Sequence, residues 1–154
     1  MAFTFQALEG TNAVSTAEIS ITLTPTTAIF TETNWMGESA ASEKINIKND
    51  NEDVDIRYYV SADWYPANGV TPQNARLLAE RLIITVTADP EGTPAELYSG
   101  NLAGLIQKID TGRELAGDAD EDVEFDLNLP TEAATDLIQG IGIEFDLVFV
   151  AVTD

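Results

Sequence analysis

Residues 141–149 read Ile-Gly-Ile-Glu-Phe-Asp-Leu-Val-Phe, so Ile141, Ile143, Phe145, Leu147 and Phe149 occupy every second position. Side chains two apart share one face of an extended strand, and a row of this kind marks a strand with one face in a core. Phe3, Phe5 and Ala7 repeat the pattern near the other end of the chain. Both ends therefore read as sheet. The first of these strands has two possible homes: its own molecule, or the sheet of a neighbouring copy.

Between the two ends the same alternation recurs in short runs. Ile19, Ile21 and Leu23 alternate with polar residues up to Pro25, which cannot donate to a sheet ladder. Ile45 and Ile47 form the next run. Asn49 to Asp53 reads as a turn, because Asn and Asp satisfy local backbone groups and tolerate left-handed conformations. Val54, Ile56, Tyr58 and Val60 then share one face of a return strand, which makes the two runs an expected hairpin.

Leu82, Ile84 and Val86 form a further strand, Glu96 to Ser99 a short one, and Val123, Phe125, Leu127 and Leu129 another before Pro130. Helical pieces are brief. Thr71-Pro72 leads into an expected helix over Gln73 to Arg81, with Ala75, Leu78 and Ala79 inward and Arg76 spaced to meet Glu80. Asn101 to Lys108 reads as a helical turn with Leu102, Leu105 and Ile106 inward, Glu132 to Leu137 as another, and Asp110 to Asp122 as a polar loop. Many short strands with small helical insertions give an all-β antiparallel sandwich and not a parallel α/β sheet. The 154 residues suffice for one domain that buries about two thirds of its unfolded surface. The expected division is an arm over 1–12 and a sandwich over 13–154.

Composition excludes several function classes. The chain has no Cys and no His, which rules out disulfides, thiolate metal sites, histidine-based triads and two-histidine zinc helices. Twenty-seven Asp and Glu against seven Lys and Arg give a net charge of −20, which repels nucleic-acid phosphates and anionic membrane surfaces. No run of about 18 apolar residues is present to span a membrane, and no basic segment followed by an apolar one marks a signal peptide.

The stretches 55–66 (DIRYYVSADWYP), 75–86 (ARLLAERLIITV) and 97–105 (LYSGNLAGL), with 125–130 (FDLNLP) and Gln139-Gly140 before the last strand, resemble the TasA and camelysin family of secreted proteins. The resemblance spans roughly residues 19 to 152. It implies a jelly-roll subunit of extracellular, biofilm-associated filaments or pili, with a signal peptide removed, that forms a head-to-tail homopolymer by donating its first strand. The donor would be Phe3, Thr4, Phe5, Gln6, Ala7 and Leu8. Eight extended residues reach about 25 Å, enough to lie along one sheet edge. The competing reading keeps Phe3 and Phe5 in the protein's own sandwich.

The family name also carries a metalloprotease label, and this chain departs from what such chemistry would need. A zinc hydrolase holds its metal largely through histidine, and this chain has none, so the expectation is a non-enzymatic protein without a certain cofactor. Asp118, Asp120 and Asp122 offer oxygen ligands at alternate positions, a pattern open to calcium or another divalent cation, with a solvated acidic loop as the alternative. Asn49 to Asp53 shares that ambiguity. Tyr59, Trp64 and Tyr65 read either as an aromatic platform for a glycan or protein or as caps on the sandwich core, and Trp35 as a loop anchor. Arg57, Arg76 and Arg81 are scarce cations expected to pair with carboxylates. The second functional reading is accordingly a monomeric secreted binding module.

Overall fold

The computed structural model describes residues 19–31 and 35–154. The expected donor residues Phe3 to Leu8, and the 1–12 arm as a whole, lie outside the described residues. Among the described residues, eight strands form two antiparallel sheets: β1 (Ile21–Thr24), β2 (Ala40–Asn49), β3 (Ile56–Pro66), β4 (Ile83–Ala88), β5 (Ala95–Asn101), β6 (Lys108–Leu115), β7 (Asp120–Asn128) and β8 (Ile143–Thr153). One helix, α1 (Pro72–Ala79), and three short 3₁₀ turns are inserted between them. The five-stranded sheet runs β1-β2-β7-β4-β5 and the three-stranded sheet runs β6-β3-β8. The fold is an all-β sandwich.

Alternation explains the core. Ile45 and Ile47 of β2, Ile84 and Val86 of β4, and Val123, Phe125 and Leu127 of β7 point inward from the large sheet. Ile56, Tyr58 and Val60 of β3 and Phe149 and Ala151 of β8 meet them from the small one. Phe149 touches both Tyr58, with ring centroids 6.0 Å apart, and Phe125, edge-on at 6.2 Å. These aromatic pairs add to burial through their ring geometry.

The expected hairpin between the Ile45 and Ile56 runs does not form. β2 pairs with β1 and β7, whereas β3 pairs with β6 and β8, so residues 50–55 cross from one sheet to the other. Both sides of β2 are already occupied, and Asn49 fixes the crossing. Its side chain is fully buried, its Nδ2 lies 2.7 Å from the Val54 carbonyl and 3.1 Å from that of Ala116, and its Oδ1 accepts from the Asn51 backbone at 3.1 Å. Val54 thus belongs to the crossing, and β3 starts at Ile56.

Other expectations shift in detail. The supposed loop over Asp110 to Asp122 contains most of β6 and the start of β7. Its inward apolar positions are few, so hydrophobic alternation is faint and the pairing with β3 decides. Helix α1 ends at Ala79, and its start is capped by the Thr71 hydroxyl, which accepts from the Asn74 N–H at 3.2 Å. The turn after β5 is confined to Leu102–Gly104, held by Asn101 Oδ1 accepting from Gly104 N–H at 2.8 Å. Leu102 and Leu105 are buried there, but Ile106 is 62% exposed, contrary to expectation. The stretch 132–137 is broken into parts of two 3₁₀ turns, Thr131–Ala133 and Asp136–Ile138, with residues 134–135 between them.

Candidate functional site

The two sides of the sandwich differ. At one, the β5–β6 connection closes over β3: Ala62 N–H donates to the Leu105 carbonyl at 2.9 Å, and Gln107 N–H to Ser61 Oγ at 2.8 Å. At the other, β8 is the last strand of the small sheet and β1 the last of the large one. Among the described residues, no strand pairs with the far side of β8. An antiparallel edge of this kind presents a row of unpaired N–H and C=O groups along its length.

A groove of about 900 Å³ runs along this open seam. Ile143, Phe145 and Leu147 line it from β8, and Leu23 and Ile45 from the large sheet. The remaining wall is the chain segment 25–31, which follows β1. The row that reads as buried from sequence is therefore divided. Phe149 is fully buried, but Ile141, Ile143, Phe145 and Leu147 are only half-buried because the covering strand on that side is missing among the described residues.

The groove's rim is acidic. Glu144 and Asp146 point outward from β8, and Asp146 sits directly opposite Asp63 of β3 in the ladder. Tyr65, also on the rim, has its phenol pushed above the ordinary range by the negative charge of Asp146, then by burial, Glu144 and Asp63. A second hollow of about 680 Å³ adjoins the groove at the end of the sandwich, between Trp35, Leu78, Leu129 and Ile138. Phe30, Ile143 and Phe145 line both spaces.

The other sequence candidates separate. Trp64 faces inward and packs on the core, whereas Tyr59 and Tyr65 lie on the outward face of β3 with Ser61 and Asp63 between them, so the three aromatics form no common platform. Trp35 anchors its loop on the core. Asp118, with a φ of 57°, pairs with Lys48 at 3.4 Å, while Asp120 and Asp122 both accept from Asn46 Nδ2, at 2.8 and 3.0 Å. Among the described residues, no group of three His, Cys, Asp or Glu side chains is arranged to hold a metal ion. Asn49 to Asp53 serves the sheet crossing.

Arg57 pairs with Asp154 at 2.5 Å and with Glu114, and Arg76 with Glu80 at 2.8 Å, as their charge suggested. Arg81 instead donates to the Leu77 carbonyl at 3.0 Å. One partly buried cation is one the sequence did not single out: Arg113, in the stretch read as loop, pairs with Glu121 at 2.9 Å.

No helix among the described residues is long and apolar enough to cross a membrane. Comparison of the chain with protein-family models and with curated proteins returns no match.

Proposed function

We propose that this protein is a structural filament subunit, and that residues 3–8 of one copy add as a strand to β8 of the next. The observation that carries this reading is the β8 edge, which no strand pairs among the described residues, with its half-buried row Ile143, Phe145 and Leu147. An added strand would satisfy the edge's backbone groups and cover that row, and it would seat alternate side chains against Leu23 and Ile45 across the groove. Phe3 and Phe5 have the spacing to do so. A donor on one part of the surface and an acceptor on another make a heterologous contact, which propagates into a filament when the rotation between copies does not close a ring.

The resemblance to the TasA and camelysin family supports an extracellular, biofilm-associated setting, and the absence of His and Cys supports a non-enzymatic role. With a net charge of −20, subunits repel one another, so salt, acid or divalent cations should promote assembly.

Electron microscopy of the full chain, combined with hydrogen exchange, tests the proposal. Regular filaments, slow exchange of β8 amides in the filament, and loss of elongation in Phe3→Asp are expected. Phe3→Asp filaments equal to wild type would overturn it. Dispersed particles under all three conditions would point instead to the monomeric binding module.

A further inference from the structure

Seven consecutive residues, Pro25 to Thr31, form one wall of the groove beside β8. This strap is attached in an unusual way. Among the described residues, no backbone hydrogen bond ties it to either sheet, and its hold on the molecule comes from Ile29 and Phe30, whose partly buried side chains pack on the core. Phe30 meets Phe145 of β8 with ring centroids 6.1 Å apart, tilted by 40°. It also stands where the groove and the end hollow join, lining both. Swinging this one ring aside would merge the two spaces into a single trough along the first half of β8.

We propose that the strap is a built-in plug: in the lone subunit Phe30 holds a place against Phe145 that an aromatic side chain from residues 3–8 of a neighbouring copy takes on assembly. This rests on the filament reading above and adds a step to it. Three features favour that occupant. The segment 3–8 carries the same Phe-Thr pair, Phe3-Thr4, that the strap presents as Phe30-Thr31. It carries no negative charge for Glu144 and Asp146 to repel. And it can offer β8 the backbone hydrogen bonds that the strap does not, so exchange gains a ladder while trading one phenylalanine contact for another.

A plug of this kind slows elongation and keeps lone subunits from pairing at random through β8. Phe30→Ala should therefore elongate several-fold faster than wild type at equal subunit concentration, and Phe30→Leu, which keeps apolar cover, should fall between them. Thermal melting of each variant confirms that it is folded. Hydrogen exchange on wild-type filaments separates strand addition from the plug. If β8 amides are not protected in the filament, the strand-addition reading fails. If they are protected, yet both Phe30 variants elongate at or below the wild-type rate, Phe30 is part of the acceptor floor and the plug is refuted.

Discussion

Tyr58 on β3 donates a hydrogen bond of 2.6 Å to Glu121 Oε1 on β7, so a single phenol joins the two sheets through the core. Arg113 of β6 grips the same carboxylate from the other side, Nε to Oε1 at 3.1 Å and Nη2 to Oε2 at 2.9 Å. Tyr58 is fully buried and the Glu121 side chain 9% exposed. A buried polar group is tolerated when its hydrogen bonds are met, and this trio meets its own. It also fixes how the sheets sit on each other, which apolar packing alone specifies less sharply.

Burial, reinforced by the bond to Glu121, pushes the Tyr58 phenol well above its ordinary range. A group whose pKa is raised by folding contributes stability that is intact below its unfolded pKa, about 10 for tyrosine, and is lost as pH climbs beyond it. Wild-type stability should thus fall above pH ~10 by up to about 1.4 kcal/mol per pH unit from this residue. Tyr58→Phe should cost about 1 kcal/mol near neutrality and lose this slope. Urea unfolding at neutral and strongly alkaline pH checks both, and parallel losses in the two proteins would speak against Tyr58 as the source.

Removing one member of the Arg113–Glu121 pair should hurt more than removing both. Glu121→Ala leaves a guanidinium without its partner, at about 2–4 kcal/mol, toward the lower figure because Arg113 remains 28% exposed. Replacing Arg113 and Glu121 together by Met restores apolar packing and should recover part of the loss. A double-mutant cycle by chemical unfolding measures the difference. Additive single effects would show that the pair is not coupled.

Sequence pattern located the strands wherever one face is strongly apolar, as with β7 and its Val123, Phe125 and Leu127. It failed at β6, whose inward face includes Arg113, because periodicity registers apolar side chains and not a buried ion pair. It also mistook a sheet crossing for a hairpin at Asn49, since local turn chemistry is the same whether the chain returns beside itself or passes to the opposite sheet. The row on β8 was legible, but not that its first half is incompletely covered, which depends on strand order. The aromatics of β3 read as either a platform or caps on the core, and alternation within the one strand divides them: Trp64 packs on the core, on the face opposite Tyr59 and Tyr65.

Two glycines separate crowding from backbone preference. Gly112 has a φ of +74°, and a Cβ there would lie 2.8 Å from Arg57 Cβ and 3.1 Å from Tyr59 Cζ. Gly69 has a φ of +82°, and a Cβ added there would meet nothing within 4 Å. Gly69→Ala should cost about 1 kcal/mol from conformation alone. Gly112→Ala should cost about 2–3 kcal/mol, because β3 or β6 must also shift. Equal losses in thermal melting would mean that the crowding is relieved without strain.

Asn46 is the neutral bridge between Asp120 and Asp122, its one amide nitrogen serving both carboxylates. Asn46→Asp replaces the donor with a third anion facing two, and should lower Tm at low salt. Calcium at millimolar concentration should restore much of that loss in the variant, since three converging carboxylates suit a hard cation. Wild type, with Asn46 in place, should gain little beyond ionic-strength-matched sodium. A calcium-induced rise in wild-type Tm as large as the variant's would show that the asparagine does not govern the site.

Asp63 and Asp146 face each other across the β3–β8 ladder, with Asp146 at the rim of the groove. Like charges directly opposite in a sheet repel, and Glu144 adds to the same field at Tyr65. Asp146→Asn should therefore raise Tm at low ionic strength, and the gain should vanish near 1 M salt, where the Debye length is about 3 Å. If β8 accepts a strand, the same substitution should lower the salt needed for elongation, because the incoming segment displaces fewer counterions from the rim. The two readouts are independent: a Tm gain that persists at 1 M salt would assign the effect to local packing, whereas a salt-sensitive Tm with unchanged elongation would place the donor's approach away from Asp146.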